Sequence, residues 1–245
     1  MARLRLAAAF ALAAASSAWG ADARAIIAEM QAKLRADTSY ARYTMRIVRP
    51  SWTRTLRFEA WDDRKGKRFF IHILAPRKEK DTTWLKRGRE LWMYLPRVER
   101  EIRIPPAMMQ ASWMGSDFTN DDLVKMDELV DDYMHEIVRE TAEGWLIRSR
   151  PKPDAPVVWG MIEHEITRAL IPRRARYYDE AGKLVRTLEF LEPKRMDGRL
   201  IPTHWIVHPK ERPREFTEMI LEAIRFNIPV NEAMFSRARL RGPWR

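Results

Sequence analysis

His204 and His208, in the run "THWIVHP", are the pair that most suggests a metal site. They lie between Pro202 and Pro209 in a strand-like stretch, where four residues span about 13 Å. Side chains so placed share a face but cannot close on one ion. Asp117, Asp121 and Asp122 superficially match a calcium loop, yet they lack its spacing and its central glycine. A helix cap followed by a solvated turn accounts for them better. Gly115-Ser116-Asp117 lacks the flanking residues of a nucleophile elbow. Glu163 and Glu165 beside His164 are paired carboxylates of a very common kind, and His72 and His135 fall singly in strand-like runs. No zinc-protease H-E-x-x-H, P-loop or dinucleotide G-x-G-x-x-G is present. The chain is therefore expected to bind rather than to catalyse, with no metal and no cofactor.

What it would bind is suggested by residues 103–123, "RIPPAMMQASWMGSDFTNDDL". Pro105 and Pro106 end the strand-like "EIRI", since proline donates no ladder hydrogen bond, and they can open a helical turn carrying Met108 and Met109. Thr119 reads as a helix cap reciprocated by Asp122, a short capping box, with Leu123 and Met126 on that helix's apolar side. Gly115 gives the segment backbone freedom, and Asp117 to Asp122 its turn and cap. Methionine is unbranched and polarizable, so it suits a surface whose contents are irregular or changing. The segment is expected to be a flexible apolar cover, or equally a plug that binds nothing.

Such a cover needs a wall beneath it. Asp22 to Ala36 reads as one amphipathic helix, capped by Asp22, with Ile27, Met30 and Leu34 on one face. After Ser39 the pattern changes to period two. In "TRTLRFEAW", Leu56, Phe58 and Ala60 share one face while Arg57, Glu59 and Trp61 share the other. Similar runs follow to "FTEMILEAIRFN", broken by turns at 63–66, Glu143-Gly144, the Pro151/Pro153/Pro156 loop, 180–182 and Asp197-Gly198. Strand centres roughly 10 to 15 residues apart indicate an antiparallel meander rather than βαβ units. The expected fold is mainly β: a single curved antiparallel sheet forming an incomplete, half-open barrel, with an N-terminal helix and a short helical lid.

The 245 residues carry a formal net charge of +11 and contain no cysteine. Arg3 and Arg5, an apolar run from Leu6 to Ala15 and Ala18-Trp19-Gly20 have the layout of a signal peptide. The run is shorter than the roughly 20 residues of a membrane span, which disfavours a retained anchor. Residues 1–20 are expected to be removed, leaving one domain over 21–245, exported to the periplasm. Cleavage at that point takes off two arginines and lowers the charge to +9. The cations are spread along the chain, so no nucleic acid is expected; for an exported protein the commoner polyanion is a membrane surface.

Residues 91–125, "LWMYLPRVEREIRIPPAMMQASWMGSDFTNDDLVK", carry a resemblance. Trp92, Tyr94 and Pro96, then Arg103 to Pro106, then Ser112 to Asp122, resemble the central signature of the outer-membrane lipoprotein-sorting proteins, relatives of the periplasmic carrier LolA. The resemblance implies a LolA/LppX-like incomplete barrel whose apolar concave side, covered by helices, carries acyl chains of lipids or lipoproteins. It also implies an inner-membrane partner, an RND/MMPL-type or a lipoprotein-releasing ABC transporter. Trp92, Tyr94, Met108, Met109, Trp113, Met114 and Phe118 are expected to line or cover unfilled apolar space. Arg103 and Arg49 are candidates for the arginine that locks the lid. An accessory transporter subunit holding no cargo, or more remotely a lipid-modifying enzyme, would be the alternatives.

Overall fold

The computed structural model describes residues 22–125 and 128–243; the expected signal peptide at 1–20, and Met126, lie outside the described residues. The described residues begin with helix α1 (Ala23–Arg35), started by the Asp22 carboxylate, which accepts the Arg24 N–H at 2.9 Å. Its terminal carbonyls are taken up from outside: Arg199 donates to the oxygens of Ala32 and Lys33 at 2.8 and 3.1 Å.

Thirteen strands follow among the described residues. They are β1 (Thr38–Arg49), β2 (Trp52–Asp63), β3 (Arg68–Ala75), β4 (Thr83–Arg87), β5 (Glu90–Leu95), β6 (Arg100–Arg103) and β7 (Tyr133–Glu140). The rest are β8 (Gly144–Pro151), β9 (Met161–Thr167), β10 (Pro172–Tyr178), β11 (Leu184–Met196), β12 (Arg199–Pro209) and β13 (Phe216–Phe226). They form one antiparallel sheet in the order β6-β5-β4-β3-β2-β1-β13-β12-β11-β10-β9-β8-β7. The sheet curves and stays open, as the strand pattern predicts.

Period two sorts each strand into an inner and an outer face. Met45 and Ile47 on β1 stand opposite Leu56 and Arg54 on β2, and Phe58 and Ala60 on β2 stand opposite Ile73 and Ile71 on β3. Met45, Ile47, Leu56, Phe58, Ile71 and Ile73, with Phe69, Trp84, Leu91 and Met219, belong to the largest apolar cluster, against which Ala60 packs. On the outer face, Phe70, Leu85 and Trp92 lie under the C-terminal turn Glu232–Phe235 and the short helix Arg237–Leu240. Elsewhere the outer face is polar, with ladders such as Glu136–Arg148–Glu163–Arg176–Glu165–Arg174–Glu189.

One topological feature decides where a lid must lie. β6 and β7 are consecutive in the chain but form opposite edges of the sheet. Residues 104–132 therefore have to cross the open face to join them. They do so as a turn at Pro106–Met108, a turn at Trp113–Gly115, helix α2 (Asn120–Lys125) and helix α3 (Leu129–Asp132).

Candidate functional site

The crossing segment folds first on itself. Trp113 N–H donates to the Phe118 carbonyl at 2.8 Å, Asn120 N–H to Ala111 and Asp121 N–H to Met109. The Asn120 side chain holds the Met108 carbonyl at 3.0 Å. Thr119 and Asp122 make the reciprocal cap: Thr119 N–H donates to the Asp122 carboxylate at 2.7 Å, and Asp122 N–H to the Thr119 hydroxyl at 3.1 Å. Met114 and Gly115 take left-handed backbone, φ 53° and 75°, which turns the chain sharply between Trp113 and Ser116. Pro106 opens the first turn and Pro105 is extended before it. A cap with its own hydrogen bonds can shift as a body without unravelling the sheet.

Its apolar side faces the wall. Trp113 is 1% exposed and stands edge-on to Phe58 and Trp84, with ring centroids 5.6 and 6.2 Å away. Leu123 and Val124 are buried in the same cluster, and Met109, Met114 and Phe118 pack against it. The space expected to be unfilled is thus occupied by the cap's own side chains. The indole N–H groups of Trp113 and Trp84 are both buried without a hydrogen-bond partner. Beside the cap, a cleft of about 240 Å³ opens over Ile104, Pro106, Met109 and Val124, rimmed by Arg89 and Lys125. That is below the roughly 300–1,000 Å³ of sites that engulf a whole small molecule.

Two expected members are not in this group. Leu91 and Met93 of β5 face the cap, so alternation sends Trp92 and Tyr94 outward, where they pack with the C-terminal segment. Met108 belongs to the cap but is 51% exposed.

Charge fastens the cap to the wall at two places. At the first, Arg49 grips the Asp117 carboxylate with both terminal nitrogens, at 3.0 and 3.1 Å, and also holds the Gly115 carbonyl at 3.1 Å. Thr217 donates to Asp117 at 2.7 Å and accepts its N–H at 3.0 Å, while Arg212 adds a third cationic contact. Arg54 donates to the Met114 carbonyl. At the second, Arg186 grips Asp122 at 2.7 and 2.5 Å and donates to the Asp117 carbonyl at 3.1 Å. Its guanidinium lies over the adjoining rings of Trp159 and Tyr177, 4.6 and 4.5 Å from their centroids. Burial by itself would raise the Asp122 carboxyl, but the charge and hydrogen bonds of Arg186, with the cap of Thr119, hold it below its ordinary value. Asp121, buried and paired with Lys125 rather than with an arginine, is pushed up instead, chiefly by desolvation.

Of the two arginines considered for a lock, Arg49 holds the cap and Arg103 does not: it pairs with Glu90 at the edge of the sheet. Arg186, Arg54 and Thr217 escaped the sequence reading. Arg186 left a signal, because in "LVRTLEF" it shares period-two register with the inward Leu188 and Phe190. An arginine in an apolar row asks for a buried acid. His204 lies between Glu192 and Glu218 at 3.7 Å from each, and His208 lies 3.9 Å from Glu189. No cluster of three metal-ligating side chains occurs among the described residues.

A protein-family model described as an uncharacterized protein matches residues 65–242. Three solved structures share the fold. A DUF1329 family protein from Desulfovibrio piger is 24% identical, with a TM-score of 0.80 over 90% of this chain and 100% of its own. An outer membrane lipoprotein-sorting protein domain from Vibrio parahaemolyticus is 19% identical, with a TM-score of 0.76 over 90% and 98%. A LolA superfamily protein from Nitrosomonas europaea is 18% identical, with a TM-score of 0.74 over 89% and 99%. No curated protein matches the chain.

Proposed function

We propose, given that the chain belongs to the family whose model matches residues 65–242 and shares its fold with outer-membrane lipoprotein-sorting and LolA superfamily proteins, that it is a periplasmic carrier. It takes the acyl chains of a lipid or lipoprotein against its inner wall when the cap lifts, and passes them between membranes with an inner-membrane exporter. The reaction is binding and release, with no covalent step.

The observation that carries this reading is that an apolar wall is covered by a self-contained cap tied down by ion pairs. The six apolar cap side chains in or against the wall cluster contribute on the order of 10 kcal/mol by their burial. An acyl chain of ~14 carbons offers about 11 kcal/mol at 0.8 kcal/mol per methylene, before ordering costs. The two are near balance, so cargo can replace the cap's side chains, and the arginine contacts set which state prevails. A cap joined to the wall by strand pairing could not exchange in this way.

Denaturing mass spectrometry of freshly purified protein tests the cargo: a co-purifying lipid is expected. A Trp113→Ala, Met114→Ala double variant that folds should bind a fluorescent fatty acid with altered affinity. Unchanged binding would sink the role given to the cap.

The filled interior favours a second reading, an accessory subunit that holds no cargo and meets a transporter through its surface. It requires an exposed apolar patch on the outer face. The exposed large apolar residues instead include scattered side chains such as Val98, Met134, Leu191 and Ile220.

A further inference from the structure

Three neighbouring hairpin tips lie at one end of the sheet, because β3, β2, β1, β13 and β12 are adjacent in it. They are the β1–β2 turn at 50–51, the loop 76–82 and the β12–β13 turn at 210–215. Ion pairs hold them together. Glu79 of the loop meets Arg54 at 3.7 Å, and Glu215 of the second turn meets Arg49 at 3.4 Å. This is also the end at which Asp117 of the cap is fastened.

Arg77, Lys78, Lys80, Lys210 and Arg214 are exposed on these tips and carry no ion pair among the described residues. Amid them Trp52 is 45% exposed, with the guanidinium carbons of Arg49 and Arg54 at 5.8 and 5.7 Å from its ring. At the opposite end of the sheet most of the cations are paired, with Lys67 and Arg87 left exposed and outside any ion pair among the described residues. There Arg64 and Lys65 pair with Asp37, Arg68 with Asp63 and Glu232, and Arg89 with Glu128.

We propose that this rim docks on an anionic lipid bilayer, with Trp52 seated at the level of the head groups. An exposed indole among unpaired cations fits that interface, where aromatic rings collect and each nearby lysine or arginine adds about 1 kcal/mol. Five such cations on convex tips match a flat, diffuse anionic sheet; a folded acidic partner would call for matched pairing in a groove. Docking this way brings the lipid surface to Arg212, which is half exposed and shares Asp117 with Arg49. The rim thus presents the fastened end of the cap to the membrane.

Flotation of the mature protein with vesicles of phosphatidylcholine containing one third phosphatidylglycerol tests this. Binding is expected at low salt, is reversed by high salt, and is absent with pure phosphatidylcholine. A Lys78→Ala, Lys80→Ala, Lys210→Ala variant should bind on the order of a hundredfold more weakly, about fivefold per charge, and Trp52→Ala several-fold more weakly. Lys67→Ala with Arg87→Ala, at the other end, should change nothing. Equal binding to uncharged vesicles, equal losses from both ends, or rim variants that bind like wild type would overturn the docking, as would capture of an acidic protein while vesicles are ignored. Fatty-acid binding measured without vesicles separates the two proposals. Its loss with docking intact counts against the carrier alone, and lost docking with intact binding counts against the rim alone.

Discussion

The two ends of the strand row are covered on the same inner face by different means. Over β7 to β9 lies α1, which buries Ala23, Ile26, Ile27 and Met30 against Ile147 and Ile166. Its buried contacts to the wall are mainly aliphatic, with charge added near its C-terminal end, where Arg35 pairs with Asp62 of β2 at 2.7 and 2.8 Å and Arg199 takes the last carbonyls. Over β1 to β5 lies the cap, made of single turns and a six-residue helix. It presents aromatic and thioether side chains and is fastened by arginines. A regular helix on an aliphatic bed has one good packing, so it makes a permanent cover. The cap's strongest attachments are charge pairs, which partners or conditions can compete for. Under the proposed carrier function, this comparison makes the α1 half the scaffold and the cap half the door.

Arg186→Ala should have the largest effect, because it strands the Asp122 carboxylate in a buried site, at a cost of about 3–5 kcal/mol. Hydrogen exchange should rise across residues 106–125 while α1 keeps its protection. Equal exposure of both would show that the covers act as one unit. Ile27→Ala should do the reverse, costing about 2–5 kcal/mol in urea unfolding of the whole sheet. If only α1 loosened, it would be a second door.

Acid sharpens the contrast. His164, fully buried on the wall beneath α1, is pushed down from 6.5 to about 3 by burial, with His135 adding repulsion. His135 is lowered as well, mainly by desolvation, and is faced by Ser149, Arg24 and Lys152. A histidine depressed in the folded state stabilises fully above 6.5 and loses that stability as pH falls toward 3, by about 1.4 kcal/mol per unit. Asp122, also depressed, keeps its contribution until pH drops below the ordinary carboxylate value of 3.8. Between pH 6 and 4.5 the α1 half should therefore weaken first. Chemical unfolding at stepped pH, repeated on His164→Leu, should give a flatter slope in the variant.

Gly115→Ala should cost about 1–3 kcal/mol at the cap, since φ is +75° and the new methyl would stand 2.8 Å from the Arg54 guanidinium. Faster fluorescent-acyl exchange should accompany it. Arg24→Ala should matter least, within about 0.2–1 kcal/mol, because its pair with Asp131 is 56% and 62% exposed. A thermal shift larger than that of Gly115→Ala would mean that the first turn of α1, and not only Arg35 at its end, is held by charge.

Much of this was legible in the residues. Alternation in "TRTLRFEAW" put Leu56 and Phe58 on one face and Trp61 on the other, which the structure turns inward and outward, and the turns at 63–66 and 197–198 lie where glycine and acid suggested. Trp92 and Tyr94 were misjudged because a motif was read as a group, whereas neighbours two apart on a strand share a face set by register. Leu91 and Met93 already held the inward side of β5. Arg54 and Thr217 gave no local sign at all, since each meets the cap across 60 or more residues of chain.

Local rules alone therefore determine an open antiparallel sheet, a leading helix and a capped, methionine-rich crossing segment, because period, turn residues and caps act over a few residues. Which arginines hold that segment, which face each tryptophan takes and whether the space beneath is full or empty were decided by the tertiary structure. Those outcomes depend on pairing strands far apart in the chain, and on how far buried charge and aromatic packing offset desolvation once they meet.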